Sequence, residues 1–401
     1  MNRRAIIVLC ILLLITSLSA AQDAAESPLL DMLARVPDTE LVRGTVPVVS
    51  YVDYSAVSST REVGLITETA IAERTDAVGL WMAALMGVAS GPDLSYWVVQ
   101  IGAMDALVGF SWLDVQRAMV FGTPPSMGTL LEGDFEPDAI TAAFTARGYN
   151  SFTEGDASIL CPPDGCDTGQ MLNLANRDPA NPFGGHLGRS EPVALLPGGV
   201  IANSPNYDEM LVEILAAQSG DLASLADDPH YIAAVGAVER LGTLRQAQFF
   251  APESVNTYGR TQGHPDAAAF GDLPDYKLFV LADSVADGQE ITSLALVYDD
   301  AETAKSAAAV LDMRLPLVVS LARNQTLLDI VMERGGQPDA AYVVKAGDYS
   351  IVLLTVRNPL PPNTPQEQGG RLPFIASGQV FSIFINEIFS RSLTLLSTEP
   401  G

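Results

Sequence analysis

GTLLEGDFEPDAITAAFTARGY, residues 128–149, reads as a strand, an acidic turn and an amphipathic helix in immediate succession. Leu130 and Leu131 close an apolar run, Asp134 is placed to cap the following helix, and Pro137 sits in its first turn, where a missing N–H costs nothing. Ile140, Ala143 and Phe144 recur at helical spacing, and Gly148 supplies the stop. The order returns in Ser293–Leu315 (SLALVYDDAETAKSAAAVLDMRL), where Asp299 and Glu302 have capping-box spacing. It returns more loosely in Gly199–Gly220 (GVIANSPNYDEMLVEILAAQSG), with Ser204 as cap and Pro205 opening the helix. The grammar matches while the letters do not, which leaves open whether the copies are a duplication or the ordinary punctuation of a mixed chain.

Working outward, strands alternate with helices without a strict βαβ rhythm. Val46–Val52 reads as a first strand, Val193–Leu196 and Val200–Asn203 as a hairpin, and Ala341–Val344 and Tyr349–Val356 as another across Gly347-Asp348. Residues 61–90 and Gly109–Val120, with Trp112, Val115 and Met119, carry helical spacing; the tryptophan and methionine cluster suggests either a ligand-lined pocket or core, and at helical spacing it is read as core. Leu315–Arg334 and the amphipathic tail Phe374–Leu396 are expected as further helices. The fold expected is α+β: two domains with antiparallel or mixed sheets, helices mainly on one face, and strand–helix–strand–strand units resembling ferredoxin-like repeats. The boundary falls in the loop-rich stretch 251–275, separating residues 22–250 from residues 276–401.

The 401 residues carry a net charge of −26 and are 48% hydrophobic, which gives ample material for a core. Such acidity argues against nucleic acid and against anionic lipid surfaces, both of which favour basic patches. The N-terminus has a short basic head, Met1-Asn-Arg-Arg, then AIIVLCILLLITSL, then small residues through Ala21. That is a signal peptide over residues 1–21, implying an extracytoplasmic, cell-envelope location. The alternative is an uncleaved anchor, the only membrane contact the sequence suggests; roughly 17 apolar residues lie near the lower limit for spanning. Cys161 and Cys166, in CPPDGC, then remain as an even pair around a turn in an exported chain, and read as a local disulfide.

Motifs for chemistry are scarce. His186, His230 and His264 stand outside any zinc-site spacing, no nucleophile elbow occurs, and the glycine pairs lack phosphate-loop spacing. Most carboxylates fall at helix starts, where the helix dipole already favours them. No cofactor or metal is expected, and no catalytic residue is assigned. The irregular segment Ser151–Ser190 is the expected binding loop, with Asp164, Asp167, Asn176, Arg177, His186 and Arg189, joined by His264 from the second loop-rich stretch.

Between Thr123 and Asp228, a Pro-Pro before a Gly-Asp-Phe strand end, a helix closing at Arg-Gly-Tyr, and SLADDP after a further helix resemble a group of uncharacterised exported bacterial α+β proteins. The resemblance covers about a quarter of the chain and implies the extracytoplasmic α+β reading without an activity. The functional expectation is a non-catalytic exported protein binding a protein or small molecule. The alternative is an extracytoplasmic hydrolase with a site assembled from loops.

Overall fold

In the computed structural model the described residues are 27–88, 101–167, 172–253, 271–320, 323–365, 374–390 and 394–398. The expected signal segment and His264 lie outside them. The fold is α+β, and every strand pairing is antiparallel. In chain order the strands are β1 (Val49–Asp53), β2 (Val115–Thr123), β3 (Ser126–Gly133), β4 (Asn150–Glu154), β5 (Ala157–Cys161), β6 (Val193–Leu196), β7 (Val200–Asn203) and β8 (Thr243–Phe250). They continue with β9 (Leu278–Ala286), β10 (Gln289–Tyr298), β11 (Val319–Ser320), β12 (Gln325–Thr326), β13 (Gln337–Pro338), β14 (Tyr342–Ala346) and β15 (Tyr349–Pro359). All except the small β11–β12 pair belong to a 13-stranded sheet.

The helices are α1 (Pro28–Leu33), α2 (Glu40–Arg43), α3 (Tyr54–Thr60), α4 (Glu68–Glu73), α5 (Asp76–Leu85), α6 (Ile101–Val108), α7 (Pro137–Ala146), α8 (Val212–Ser219), α9 (Pro229–Glu239), α10 (Ala301–Arg314), α11 (Leu327–Glu333) and α12 (Gln379–Phe389). They cover both faces of the sheet. The central strands require this, because they are apolar on both sides. On β9, Leu278, Val280 and Ala282 face one core while Phe279 and Leu281 face another. On β15, Ile351 and Leu353 alternate in the same way with Val352 and Leu354. The inner face, as we term it, runs the length of the sheet beneath α1, α8 and α9. The outer face holds two cores, one under α3, α5, α6 and α7, the other under α10, α11 and α12.

Strand order explains the echo between the two strand–helix stretches. From the β1–β8 pair at the centre, the sheet runs β2-β3-β7-β6 in one direction and β9-β10-β15-β14 in the other. In each half a hairpin (β2–β3, β9–β10) leads to a helix on the outer face (α7, α10). A second hairpin (β6–β7, β14–β15) then returns its last strand beside the first. Residues 128–149 and 293–315 thus occupy equivalent places in a ββαββ unit used twice. Residues 199–220 do not, since Met210, Leu211 and Ile214 pack on the inner face. The first half adds the β4–β5 hairpin beyond β6. The expected boundary at 251–275 lies between β8 and β9, which pair along their length, so one ladder joins the two halves.

Several local expectations change. Asp134 does not cap α7: its carboxylate accepts from Gln116 Nε2, and the cap position is Glu136, which makes no side-chain cap bond. Asp300, not Asp299, caps α10, accepting from the Glu302 and Thr303 amides. Ser204 binds within its own turn, and Asn206 caps a π-helical turn leading into α8. Val115–Thr123 is a strand rather than helix, and β4 and β5 lie in the segment read as irregular. Leu315–Arg334 is broken by β11 and β12 before α11. For Val115–Thr123, pairing with the distant β1 outweighs local helical spacing.

Candidate functional site

The first half's outer face contains a cleft of about 790 Å³ between α3, α5 and the turn entering β2. Its lining includes the buried Tyr54, Ile66, Trp81, Leu85, Trp112 and Val115, with the exposed Ser55, Leu65, Thr67, Glu68 and Asp105 at its mouth. The size is that of a small-molecule site, and the wall joins aromatic side chains to nearly as much polar surface.

Local sequence builds each wall. The tetrapeptide Ser111-Trp112-Leu113-Asp114 is a capping box: Asp114 Oδ2 accepts from the Ser111 amide at 2.7 Å, and Ser111 Oγ from the Leu113 amide. This turn fixes the Trp112 ring edge-on to Tyr54, with centroids 5.3 Å apart. Gly133 backs the turn so closely that a Cβ there would lie 2.0 Å from the Asp114 carbonyl oxygen. Asp53 caps α3 through the Ala56 amide with one carboxylate oxygen and accepts from Arg117 Nε with the other, so α3 is keyed to β2. The Tyr54 hydroxyl is buried with no hydrogen-bond partner, and burial raises its pKa far above the ordinary phenol value.

Helices α3 and α5 are held from behind by buried charge. Arg245 Nη2 donates to both Asp283 oxygens, at 2.8 and 2.9 Å, and to Glu290 Oε1 at 2.8 Å, all three side chains being about 1% exposed. Gln246 links Asp283 to the Gly87 carbonyl just past α5, and the Gly378 amide donates to Glu290. Arg61, at the end of α3, donates to Ser377 Oγ at 2.6 Å and to the Ile375 and Pro362 carbonyls. Burial lowers the Arg61 pKa; burial and the Glu290 charge push the Asp283 carboxyl up. Gly87 is pressed against this segment: a Cβ would meet Ser377 O at 1.9 Å. Both cleft-lining helices are therefore referenced to residues 374–378 through one nearly dry ionic cluster between the two outer cores.

In the expected binding loop several residues hold local turns. Cys161 and Cys166 form the expected disulfide, with Cα atoms 4.8 Å apart at the end of β5. Asp164 is exposed in the turn between them, and Asp167 accepts from the Asp208 amide at 3.1 Å; contact with Asp167 raises the Asp208 pKa. Asn176 closes a turn on Asn173, and Arg177 Nε donates to the His186 carbonyl at 2.6 Å. Arg189 reaches Glu191 at 3.9 Å. The segment packs through Phe183, which is buried against Phe110 and Phe144. Beneath it, burial pushes the Glu191 carboxyl up to about 7, opposed by Arg189 and a bond from Asn203. His230 lies in an ionic chain with Asp228 and Asp299 and against the Tyr349 ring. Among the described residues no group of three or more His, Cys, Asp or Glu side chains is placed to hold a metal.

The sequence raises a ligand-lined pocket for the tryptophan cluster but favours core, and Trp81 and Trp112 are both buried and part of the cleft wall. The Ser111–Asp114 capping-box spacing was the available signal. It stops a helix reading at Trp112 and exposes the ring to a turn.

No family model matches the chain, and no curated protein matches it. Among solved structures, crystal form I of TP0453 is 9% identical with a TM-score of 0.31, over 85% of this chain and 93% of that one. Crystal form III of TP0453 gives 10% and 0.32, over 84% and 93%. An overlap this loose says nothing about ligand or activity, and the likeness of residues 123–228 to uncharacterised exported proteins stays a resemblance. No helix among the described residues is long and apolar enough to cross a membrane.

Proposed function

We propose that this is an exported, non-catalytic binding protein of the cell envelope whose ligand is a small molecule with an apolar body, held in the first-half cleft. The observation that carries the reading is an open cleft of about 790 Å³ walled by the Tyr54, Trp81 and Trp112 side chains. The rigid ionic support behind α3 and α5 suits a preformed site, which binds without an ordering cost. Export rests on the N-terminal signal pattern.

Native mass spectrometry of the protein purified from its own host's envelope fraction tests this. The expected result is a co-purifying small molecule, lost in Ser58→Phe, which fills the cleft from a half-buried lining position. Mass in excess of the bare chain that Ser58→Phe leaves unchanged would contradict the site. Hydrolysis of esters, peptides or glycosides by the pure protein would replace this reading with the hydrolase alternative.

A further inference from the structure

The charge around the cleft narrows the ligand class. Among its lining residues the ionisable side chains other than Tyr54 are Glu68, Asp105 and Asp114; none is Lys, Arg or His. Trp81, Trp112 and Tyr54 line the same space, with Tyr54 and Trp112 packed edge to face. Rings attract cations through their quadrupole, most strongly where water is excluded, and carboxylates at the mouth add a field of the same sense. A carboxylate or phosphate ligand would meet like charge at the mouth and no donor cation inside.

We infer that the cleft's ligand is an organic cation, an amine or quaternary ammonium carried on an apolar body. This rests on the binding reading above and sharpens it. The apolar body lies along the Trp81 side, and the cationic head lies within reach of the carboxylates at the mouth.

Isothermal titration of the full chain with three ten-carbon probes tests it: decyltrimethylammonium, n-decanol and decanoate, each below its aggregation concentration. The expected result is one-to-one binding of the cation at least about tenfold tighter than decanoate, weakening as sodium chloride is added. The double variant Glu68→Gln/Asp105→Asn changes only exposed side chains. It should bring the cation's affinity close to that of decanol, while Ser58→Phe should abolish binding of all three. Decanol or decanoate binding as tightly as the cation overturns the inference and leaves the cleft as a binding site. So does cation affinity indifferent to the double variant. Cation binding at many sites, unaffected by Ser58→Phe, overturns it as adventitious attraction to an acidic surface. Failure of all three probes to bind contradicts the binding reading itself.

Discussion

The two halves of the sheet share an order of elements and differ on the outer face. In the second half, α10 lies flat on β10 and β15 through Ala304, Ala307, Ala308 and Leu311, and the small residues let helix and sheet close without a gap. In the first half, α7 uses only Ile140 and Phe144, and the connection from β1 to β2 inserts α3, α4, α5 and α6 over the same face. The cleft arises in that insertion. Among the described residues, a repeated scaffold thus carries the cleft on the half where the β1–β2 connection adds helices over the sheet.

The contrast breaks most directly at the seam between the halves. Arg245→Ala would strand Asp283 and Glu290 as unpaired buried carboxylates, and a loss of about 3–5 kcal/mol is expected in urea unfolding. Arg245→Met combined with Asp283→Leu and Glu290→Gln should recover much of it. If Arg245→Ala costs under about 1 kcal/mol, the cluster does not hold the halves together.

Glu191 belongs to the first half alone. Its folded pKa of about 7 lies above the ordinary 4.5, so its contribution to stability is fully present below pH 4.5 and is lost as pH rises through about 7. The span corresponds to about 3 kcal/mol at most. Glu191→Gln should flatten the pH dependence of unfolding over that window and leave the variant the more stable protein at pH 8. An unchanged slope would mean that Arg189 and Asn203 compensate the buried charge fully.

The disulfide is the first half's other addition. Closing so short a loop is worth about 2 kcal/mol, and Cys161→Ser/Cys166→Ser should lower stability by that amount without altering probe binding. The smallest expected effect compares the two equivalent helices. Asp300→Ala removes a cap that accepts from two amides and should lower stability measurably, whereas Glu136→Ala, at a cap without a side-chain bond, should change it hardly at all. Equal losses would show that the two helix starts are more alike than their hydrogen bonds indicate.

The fold class was legible from residues 128–149 and 293–315 because strand ends and alanine or Phe–Ile stripes are local features, while the capping acids Asp134 and Asp299 were misassigned. Hairpins such as Leu196–Val200 and Ala346–Tyr349 were legible for the same reason, with glycine and aspartate marking the turns. The equivalence of the halves was not, since it lies in which distant strands pair: β7 with β3 and β15 with β10. The site was less legible still. Charged and histidine-bearing residues between 161 and 190 drew attention, yet Arg177, His186 and Arg189 serve to fold their own loop around Phe183. The cleft draws on Tyr54, Trp81 and Trp112, brought together from separate elements, and aromatic residues in a pocket wall carry the same sequence signature as aromatic residues in a core.

The decisive measurement is hydrogen–deuterium exchange of the full chain with and without whichever ten-carbon probe binds tightest. Protection is expected over residues 54–67 and 105–116, which line the cleft, with none over the equivalent helix 301–314. Protection of 301–314, or of the 173–191 loop in place of the cleft, would contradict the assignment of binding to the half that carries the cleft.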